Sequence, residues 1–324
     1  MRATTDNQTK PLPRVARTPF YYGWVVLVVA ALASFTSAPG QTYTFSVFQN
    51  SLIDDIGLSS TAISTLYLFG SLTAALVIIV VGRSLDILGP RIMLVVSTLL
   101  LGLGAMWLSW ADSAWTLFVG FAIMRSMGQG ALSLIPATVV SVWFVRKRAM
   151  ALALMALGGA VASGFYPIYG ATLIEEFGWR TAWVMIAFTA WGLLILPSVL
   201  FVRTSPESIG LLPDGDSTER DQVDDGAVTK TGESERSWTL NEAMHSRALW
   251  FLIFAGTAQS LVGTGVTFHQ VSYLTSKGFT SSGAAGVFVV FAPTMIVGQF
   301  VSGYLAGRIQ IRYLIATGQG FIVV

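Results

Sequence analysis

The sequence predicts an all-α integral membrane protein that crosses the bilayer many times. Only 11% of its 324 residues are charged, and 53% are hydrophobic. A soluble domain carries about 25% charged residues. Long runs without Asp, Glu, Lys or Arg recur along the chain, with basic residues between alternate runs. Because so few charges cannot cover a water-exposed surface, lipid is the expected solvent, and the net charge of +2 indicates no nucleic-acid partner.

Eight apolar runs are long enough to cross the hydrocarbon core, which takes about 20 helical residues. The predicted spans are 22–48, 62–81, 92–110, 115–145, 149–174, 181–202, 248–276 and 283–306. A ninth run begins at Tyr313. Buried helices of a soluble protein could explain one run, but not eight in succession. A cleaved signal peptide is the alternative for the first run, although this run is long and further spans follow at once.

The basic residues predict how the helices are oriented. With the N-terminus in the cytoplasm, 16 of the 19 Lys and Arg residues lie on the cytoplasmic side. Arg180 and Lys277 then lie outside, and Arg125 lies within a span. This asymmetry follows the positive-inside rule. We therefore expect a multi-pass protein of the plasma (inner) membrane with a cytoplasmic N-terminus.

Charge and polarity divide the chain into four predicted segments. They are a cytoplasmic tail at 1–21, a six-helix bundle at 22–202, a cytoplasmic linker at 203–247 and an incomplete second bundle at 248–324. The middle of this linker, from Asp214 to Arg236, is too polar to bury a core, so we predict that the linker is flexible. A small soluble domain is the alternative. Residues 238–244 are predicted to form a short helix at the membrane interface.

Two predicted cytoplasmic loops, 82–91 and 303–312, resemble one another. Each begins with Gly, ends with Arg nine residues later and follows a span that starts 20 residues before its Gly. The separation of 221 residues also carries the first span onto the seventh. This pattern predicts a parallel repeat of six helices, and roughly 99 further residues would complete the second copy. We therefore expect a fragment of a longer protein, with a natural nine-helix protein as the alternative.

The first of these loops resembles the signature between helices two and three of the major facilitator superfamily. The matching residues are Gly82, Asp86, Gly89 and Arg91 in the first loop and Gly303, Arg308 and Arg312 in the second. The resemblance implies a major facilitator fold, with an N-terminal six-helix bundle plus a truncated C-terminal bundle and about nine of twelve helices. It also implies that Gly82, Asp86, Gly89, Arg91, Arg308 and Arg312 form a cytoplasmic latch. A solvated turn with a topogenic Arg is the alternative.

Further motifs resemble the monocarboxylate and oxalate/formate porter branch of this superfamily. They lie at 22–24, 125–130, 148–159, 178–180 and 206–215. Two features differ from that branch. Gln41 or Thr42 stands where such porters carry a Lys in helix one, and Met295 and Gln299 stand where they carry an Asp and an Arg in helix eight. The resemblance therefore implies a porter without the usual proton-and-lactate chemistry in these helices.

The predicted spans contain no Asp or Glu and two candidate ionisable residues, Arg125 and His269. Ionisable side chains within a membrane are costly and usually functional. Arg125 could bind a substrate carboxylate through two parallel hydrogen bonds, or it could tie helix four to backbone carbonyls. His269 could carry a proton near neutral pH, or it could be an interfacial residue with satisfied hydrogen bonds. Tyr43, Tyr166 and Gln299 are candidate lining residues of a central site, with simple packing as the alternative.

These features predict a secondary active transporter that moves a small organic anion, a monocarboxylate, by alternating access. A proton, an ion gradient or exchange would drive it, and no cofactor or metal is expected. The alternatives are an inactive truncated product, a transporter-derived sensor, or a porter of a neutral or amphiphilic solute. An enzyme is not predicted, because the sequence has no cluster of nucleophile, base and metal ligands and no nucleotide-binding loop.

Overall fold

A computed structural model describes residues 20–215, 240–306, 308, 313 and 317–318. Within these ranges the regular structure is helical, without a β-strand. A π-helical segment, Arg125–Ala131, joins α4 to α5. The α-helices are α1 (Gly23–Thr36), α2 (Thr42–Ile56), α3 (Ser60–Ser109), α4 (Ala114–Met124), α5 (Leu132–Trp143), α6 (Arg148–Phe201), α7 (Leu240–His245), α8 (Arg247–Ser276), α9 (Ser281–Gly286) and α10 (Phe288–Ala306).

Six helical stretches in the described residues are long and apolar enough to cross a membrane. Two of them, α3 and α6, have 50 and 54 residues. If straight they would be about 75 and 80 Å long, far more than a bilayer core of about 30 Å. Each is instead two spans that meet at a sharp kink, at Gly89 (φ 77°) and Gly178 (φ 79°). Glycine adopts this left-handed conformation without the steric cost that other residues meet.

These kinks bring the observed helices into agreement with the eight predicted spans. The predicted spans 62–81 and 92–110 correspond to the two arms of α3, and 149–174 and 181–202 correspond to the two arms of α6, to within one residue at the helix ends. The first predicted span, 22–48, overlaps a single membrane-crossing stretch, Gly23–Ile56, within which the chain leaves the α-helix between α1 and α2. The predicted ninth span lies outside the described residues apart from Tyr313, Thr317 and Gly318.

An aromatic cluster holds the helices of the first half together. Phe48 of α2 stacks on Trp183 of α6 with ring centroids 4.1 Å apart. Phe45, one turn earlier, makes an edge contact with Phe121 of α4 at 5.1 Å. Large apolar side chains such as Leu76, by contrast, lie 70% exposed on the outside of the bundle. Apolar residues both inside and outside are the arrangement expected when lipid is the solvent.

The start of the linker packs against the end of the bundle at which α1 begins. The Asp214 carboxylate accepts backbone N–H groups from Val145 at 3.0 Å, Arg146 at 2.7 Å and Lys147 at 3.2 Å. Burial alone would raise the pKa of Asp214, but these three donors hold it below its ordinary value. Its backbone is also left-handed, with φ 59°.

Asp214, the first residue of the segment that is predicted to be flexible, is therefore anchored, and the flexibility of the rest of that segment stays a prediction. A local hydrogen-bond network, which composition does not reveal, anchors that residue. Residues 216–239 lie outside the described part of the chain. Helix α7 overlaps the short helix predicted at 238–244.

Candidate functional site

The candidate site begins at a break in the first membrane-spanning segment. Helix α1 ends at Thr36, a 3₁₀ turn covers Ala38–Gly40, and α2 starts at Thr42. Pro39 lacks an N–H group and so cannot continue the α-helical hydrogen-bond pattern. The turn makes the Gly40 carbonyl available to a partner outside its own helix.

The π-helical segment Arg125–Ala131 lies directly against this break. A Cβ atom built on Gly40 would be 2.7 Å from the Gly128 Cα, and one built on Gly128 would be 2.6 Å from the Gly40 Cα. The two backbones therefore touch, which only glycine permits at this distance. Broken helices and π-bulges are frequent at functional sites. The motif at 125–130 predicted neither irregularity.

Arg125, the first residue of the π-helical segment, is 6% exposed. Its Nε donates to Ser71 Oγ at 3.0 Å, and its Nη1 donates to the Gly40 carbonyl at 3.2 Å. The guanidinium carbon lies 4.9 Å from the centre of the Tyr67 ring. No carboxylate among the described residues pairs with it. Arg125 thus ties the π-helical segment to a backbone carbonyl. The partners that the described residues give to its charge are all neutral.

Arg125 and His269 line the same cavity, of about 380 Å³, between α3, the π-helical segment and α8. The lining is rich in hydroxyl groups. They belong to Ser64, Tyr67, Ser71, Thr257, Ser260 and Thr264. Phe268 adds an aromatic wall, with its ring 4.5 Å from that of Tyr67. The cavity therefore combines one buried cation, one histidine, several hydroxyls and two aromatic rings.

His269 sits at the edge of the cavity, where α8 meets the first half of the protein. Its Nδ1 lies 3.3 Å from Gln49 Nε2, and its Nε2 lies 3.4 Å from Ser64 Oγ. His269 therefore has the hydrogen-bond partners expected if it is simply an interfacial residue. It nevertheless faces the same cavity as Arg125, 144 residues earlier in the sequence, which periodicity alone could not show.

Polar contacts near His269 join α2 to α8 at the end of the bundle away from the start of α1. Ser46 Oγ accepts the Val271 N–H at 3.3 Å. Ser272 Oγ lies 3.2 Å from Gln49 Oε1 and 2.6 Å from Asn50 Oδ1. Asn50 Nδ2 donates to Thr275 Oγ1 at 3.0 Å. These contacts, together with the Gln49–His269 contact, form a polar interface between α2 and α8.

The other predicted lining residues lie elsewhere. Tyr43 is partly buried, and its ring centroid is 6.4 Å from that of Phe288 in α10. Tyr166 is fully buried among Phe35 and neighbouring rings, and its hydroxyl has no hydrogen-bond partner in the described part of the chain. Neither tyrosine lines the cavity of Arg125. Gln299 lies within α10, and its side chain is outside the described structure.

The latch residues predicted in the first loop lie around the kink in the middle of α3. Asp86 and Arg91 are exposed, and Gly89 provides the left-handed kink. A Cβ on Gly82 would meet no described atom within 4 Å, so close helix approach does not explain this glycine. Arg308 is exposed, and Arg312 lies outside the described residues. The latch therefore stays a prediction.

An unpredicted cluster joins three loops at the end of the bundle opposite Gly89. Arg180 Nη2 pairs with Asp55 Oδ2 at 2.8 Å. Its Nη1 donates to the carbonyls of Ser109 at 3.3 Å and Ala111 at 2.9 Å. Trp179 Nε1 donates to the same Asp55 oxygen at 3.2 Å. The motif at 178–180 resembles a family motif, but the sequence did not predict that its residues form this cluster.

Comparison with known proteins settles the family. The sequence model of the Major Facilitator Superfamily matches residues 30–324. The chain belongs to the major facilitator superfamily. This result confirms the predicted fold class and the prediction of a multi-pass membrane protein rather than an enzyme. The monocarboxylate and oxalate/formate branch stays a prediction.

Several curated proteins are similar in sequence. The riboflavin transporter RibJ of Trypanosoma cruzi is 27% identical over 203 residues, which are 60% of this chain and 42% of that protein. The uncharacterized MFS-type transporter YhjX of Escherichia coli is 24% identical over 303 residues, which are 91% of this chain and 69% of that protein. The match thus spans about two fifths of the riboflavin transporter's length.

Two solved structures share the fold. The D-xylose-proton symporter superposes with a TM-score of 0.61 at 15% identity, covering 89% of this chain and 70% of that one. A bacterial homologue of the human lysosomal transporter Spinster, in an inward-facing and unoccupied conformation, superposes with a TM-score of 0.63 at 17% identity, covering 90% and 64%. At such low identity these likenesses show the fold alone.

Proposed function

We infer that the protein is a secondary active transporter that carries a small organic anion by alternating access. The observation that most directly supports this is the buried Arg125 guanidinium, which borders a cavity and has no carboxylate partner in the described structure. A buried cation is costly unless it is paired. An anion that entered the cavity would supply the missing countercharge.

The geometry around Arg125 leaves it able to bind such an anion. A guanidinium has five N–H donors, and the protein takes two of them through Ser71 and Gly40. These two bonds, together with the Tyr67 ring, hold the side chain in one position before any ligand arrives. Remaining donors can form the paired hydrogen bonds that carboxylates accept. A preordered guanidinium binds at a lower entropic cost than a mobile one.

The cavity size favours a small substrate. Its volume of about 380 Å³ lies at the lower end of the 300–1,000 Å³ typical of ligand pockets. The hydroxyl groups that line it could bind a second polar group of the substrate. Together with the resemblance to monocarboxylate and oxalate/formate porters, this supports a monocarboxylate. The cytoplasmic N-terminus, the inner-membrane location and the four-segment organisation are part of the same proposal.

A neutral heteroaromatic solute is the second candidate. One relative in sequence is a riboflavin transporter. The Tyr67 and Phe268 rings, with centroids 4.5 Å apart, form an apolar wall of the cavity. A flat ring system could pack against this wall, with Arg125 and the hydroxyl groups bonding to its polar edge.

Thermal-shift measurements on the detergent-purified protein would test the proposal. The panel contains short-chain monocarboxylates, their uncharged amides and riboflavin. A ligand that binds only the folded state stabilises it by about 2.7 kcal/mol at one hundred times its Kd. We expect a shift with a carboxylate and none with its amide. Arg125→Gln should abolish the shift, while the matched control Arg83→Gln, an exposed arginine on α3, should keep it.

Other outcomes would decide between the alternatives. A carboxylate shift that Arg125→Gln leaves intact would contradict the anion site and leave Arg125 with its structural role alone. A shift with riboflavin but with no carboxylate would support the neutral solute. Failure of every ligand with a folded protein would count against both candidates.

A further inference from the structure

Arg125 borders a second cavity, which has a volume of about 210 Å³. Among the described lining residues, this cavity shares Arg125 and Ser71 with the cavity of about 380 Å³ that contains His269. Along α3 the first cavity extends from Ser64 to Ser71, and the second extends from Ser71 to Ile78. The two cavities therefore follow one another along the span, with the hydrogen bond from Arg125 to Ser71 at their boundary.

Besides Arg125, Gln129 is the only side chain in the described walls of the second cavity that can still donate a hydrogen bond to a ligand. Ser71 Oγ gives its proton to the Tyr67 carbonyl at 2.9 Å and accepts from Arg125 Nε at 3.0 Å. The Gln129 side chain is exposed, and its amide has no partner among the described residues. The remaining described walls are formed by alanine, isoleucine and glycine.

The depth of Gln129 in the membrane makes its free amide informative. The residue lies at the middle of the apolar stretch Ala114–Trp143, where hydrocarbon surrounds the outside of the bundle. An amide without hydrogen bonds is costly in hydrocarbon. The π-helical segment that packs Gly128 against Gly40 brings Gln129 to the same cavity as Arg125. The amide therefore faces a space in which a polar ligand can satisfy it.

We propose that Gln129 is a second substrate-binding residue, which bonds to an uncharged polar group of the substrate while Arg125 binds the carboxylate. This inference rests on the proposed function and describes its substrate more closely. The cavity is smaller than the roughly 300 Å³ at which typical ligand pockets begin, so the substrate is short. Arg125 is the one cation in the described walls of this cavity, so the substrate carries a single negative charge.

The second polar group of the substrate would decide its affinity. An amide can donate and accept, so Gln129 can bond to a hydroxyl in either role. A substrate analogue without that hydroxyl would displace water from the amide and offer no bond in return. Sites that bond to a polar group of a substrate reject analogues that lack the group for this reason. Gln129 would therefore determine specificity among carboxylates of equal length.

Thermal-shift titrations of the detergent-purified protein would test the proposal with propionate, 2-hydroxypropionate and 3-hydroxypropionate. The three acids have the same length and charge and differ in their hydroxyl group. The rise of the unfolding temperature with ligand concentration yields an apparent Kd for each acid. We expect at least one hydroxy acid to bind about three- to ten-fold more tightly than propionate, which is the effect of one net hydrogen bond.

Three variants assign this preference to Gln129. Gln129→Leu removes the amide and should abolish the preference, while the affinity for propionate stays within about two-fold. Gln259→Leu is the matched control, because Gln259 is exposed on α8 and lines neither cavity. This control should keep the preference. Gln129→Glu preserves the shape but places a carboxylate beside Arg125, so it should abolish binding of all three acids.

Three results would overturn the proposal: equal affinities of the unmodified protein for the three acids, a hydroxyl preference that persists in Gln129→Leu, or unchanged binding of propionate in Gln129→Glu. In each of these cases propionate still binds and still requires Arg125, so the anion site stands without Gln129. If the unmodified, folded protein binds none of the acids, the anion site itself fails and this inference fails with it.

Discussion

The contact between Gly40 and Gly128 yields the sharpest structural prediction. In Gly128→Ala the new Cβ would lie 2.6 Å from the Gly40 Cα, 2.9 Å from the Gly40 nitrogen and 2.9 Å from the Ser37 carbonyl oxygen. All three are backbone atoms, so no side chain can turn away. Ordinary van der Waals contact begins at 3.4 Å, so the two segments must separate by the difference, about 0.8 Å.

The expected cost follows from this separation. Overpacking of a close-packed interior costs about 1–3 kcal/mol, and a clash with backbone atoms belongs at the upper end. Alanine recovers up to about 1 kcal/mol because it loses less backbone entropy than glycine in a helix. We therefore expect a net loss of about 2 kcal/mol. The midpoint of thermal unfolding should fall by about 5 °C.

The assay compares thermal unfolding of purified variants in the same detergent. Gly192→Ala is the matched control, because Gly192 also lies inside a membrane helix and its Cβ would meet nothing within 4 Å. The control should keep or raise the stability. If Gly128→Ala unfolds at the same temperature as the unmodified protein and the control, the backbone contact is not as close as described and the reasoning is wrong.

Two further predictions concern the ends of the bundle. Asp214→Asn should lower thermal stability by about 1 kcal/mol, since its carboxylate accepts three backbone N–H groups. Because folding lowers the pKa of Asp214, its contribution is complete above the pKa of the unfolded carboxyl and is lost as the pH falls through the folded pKa. A pH series of unfolding temperatures should show this acid-side loss in the unmodified protein, and a larger or equal loss in Asp214→Asn would refute it. Arg180→Ala should destabilise the protein more than Asp55→Asn, because it also leaves the Ser109 and Ala111 carbonyls without their donor, whereas the half-exposed ion pair alone contributes at most about 1 kcal/mol. Equal unfolding temperatures of the two variants would contradict this.

The fold could be predicted from the sequence because lipid imposes simple requirements. A helix that crosses the bilayer must be long and apolar and must satisfy its own backbone hydrogen bonds. These requirements act on local composition, so the predicted spans overlap the observed helices, although the chain leaves the α-helix within the first span. The kinks at Gly89 and Gly178 also coincide with the loops predicted between spans.

The candidate site could be predicted only in part. Because an ionisable side chain is costly within a membrane, Arg125 and His269 could be identified from the apolar sequence around them alone. Their shared cavity depends on how α3 and α8 pack, which no local pattern encodes. For the same reason the sequence did not reveal that Asp214 is anchored or that Arg180 bridges three loops.

What the sequence by itself determined is thus the helical membrane fold, the positions of the spans and the rarity of charges within them. These follow from the free energy of transferring each residue into lipid, which depends on the residue and its near neighbours. Only the tertiary structure decided that the first span breaks at Gly40, that Gly128 touches this break, and that Gln49 faces His269. Such contacts join residues far apart in the chain, and short-range packing and hydrogen-bond geometry select them.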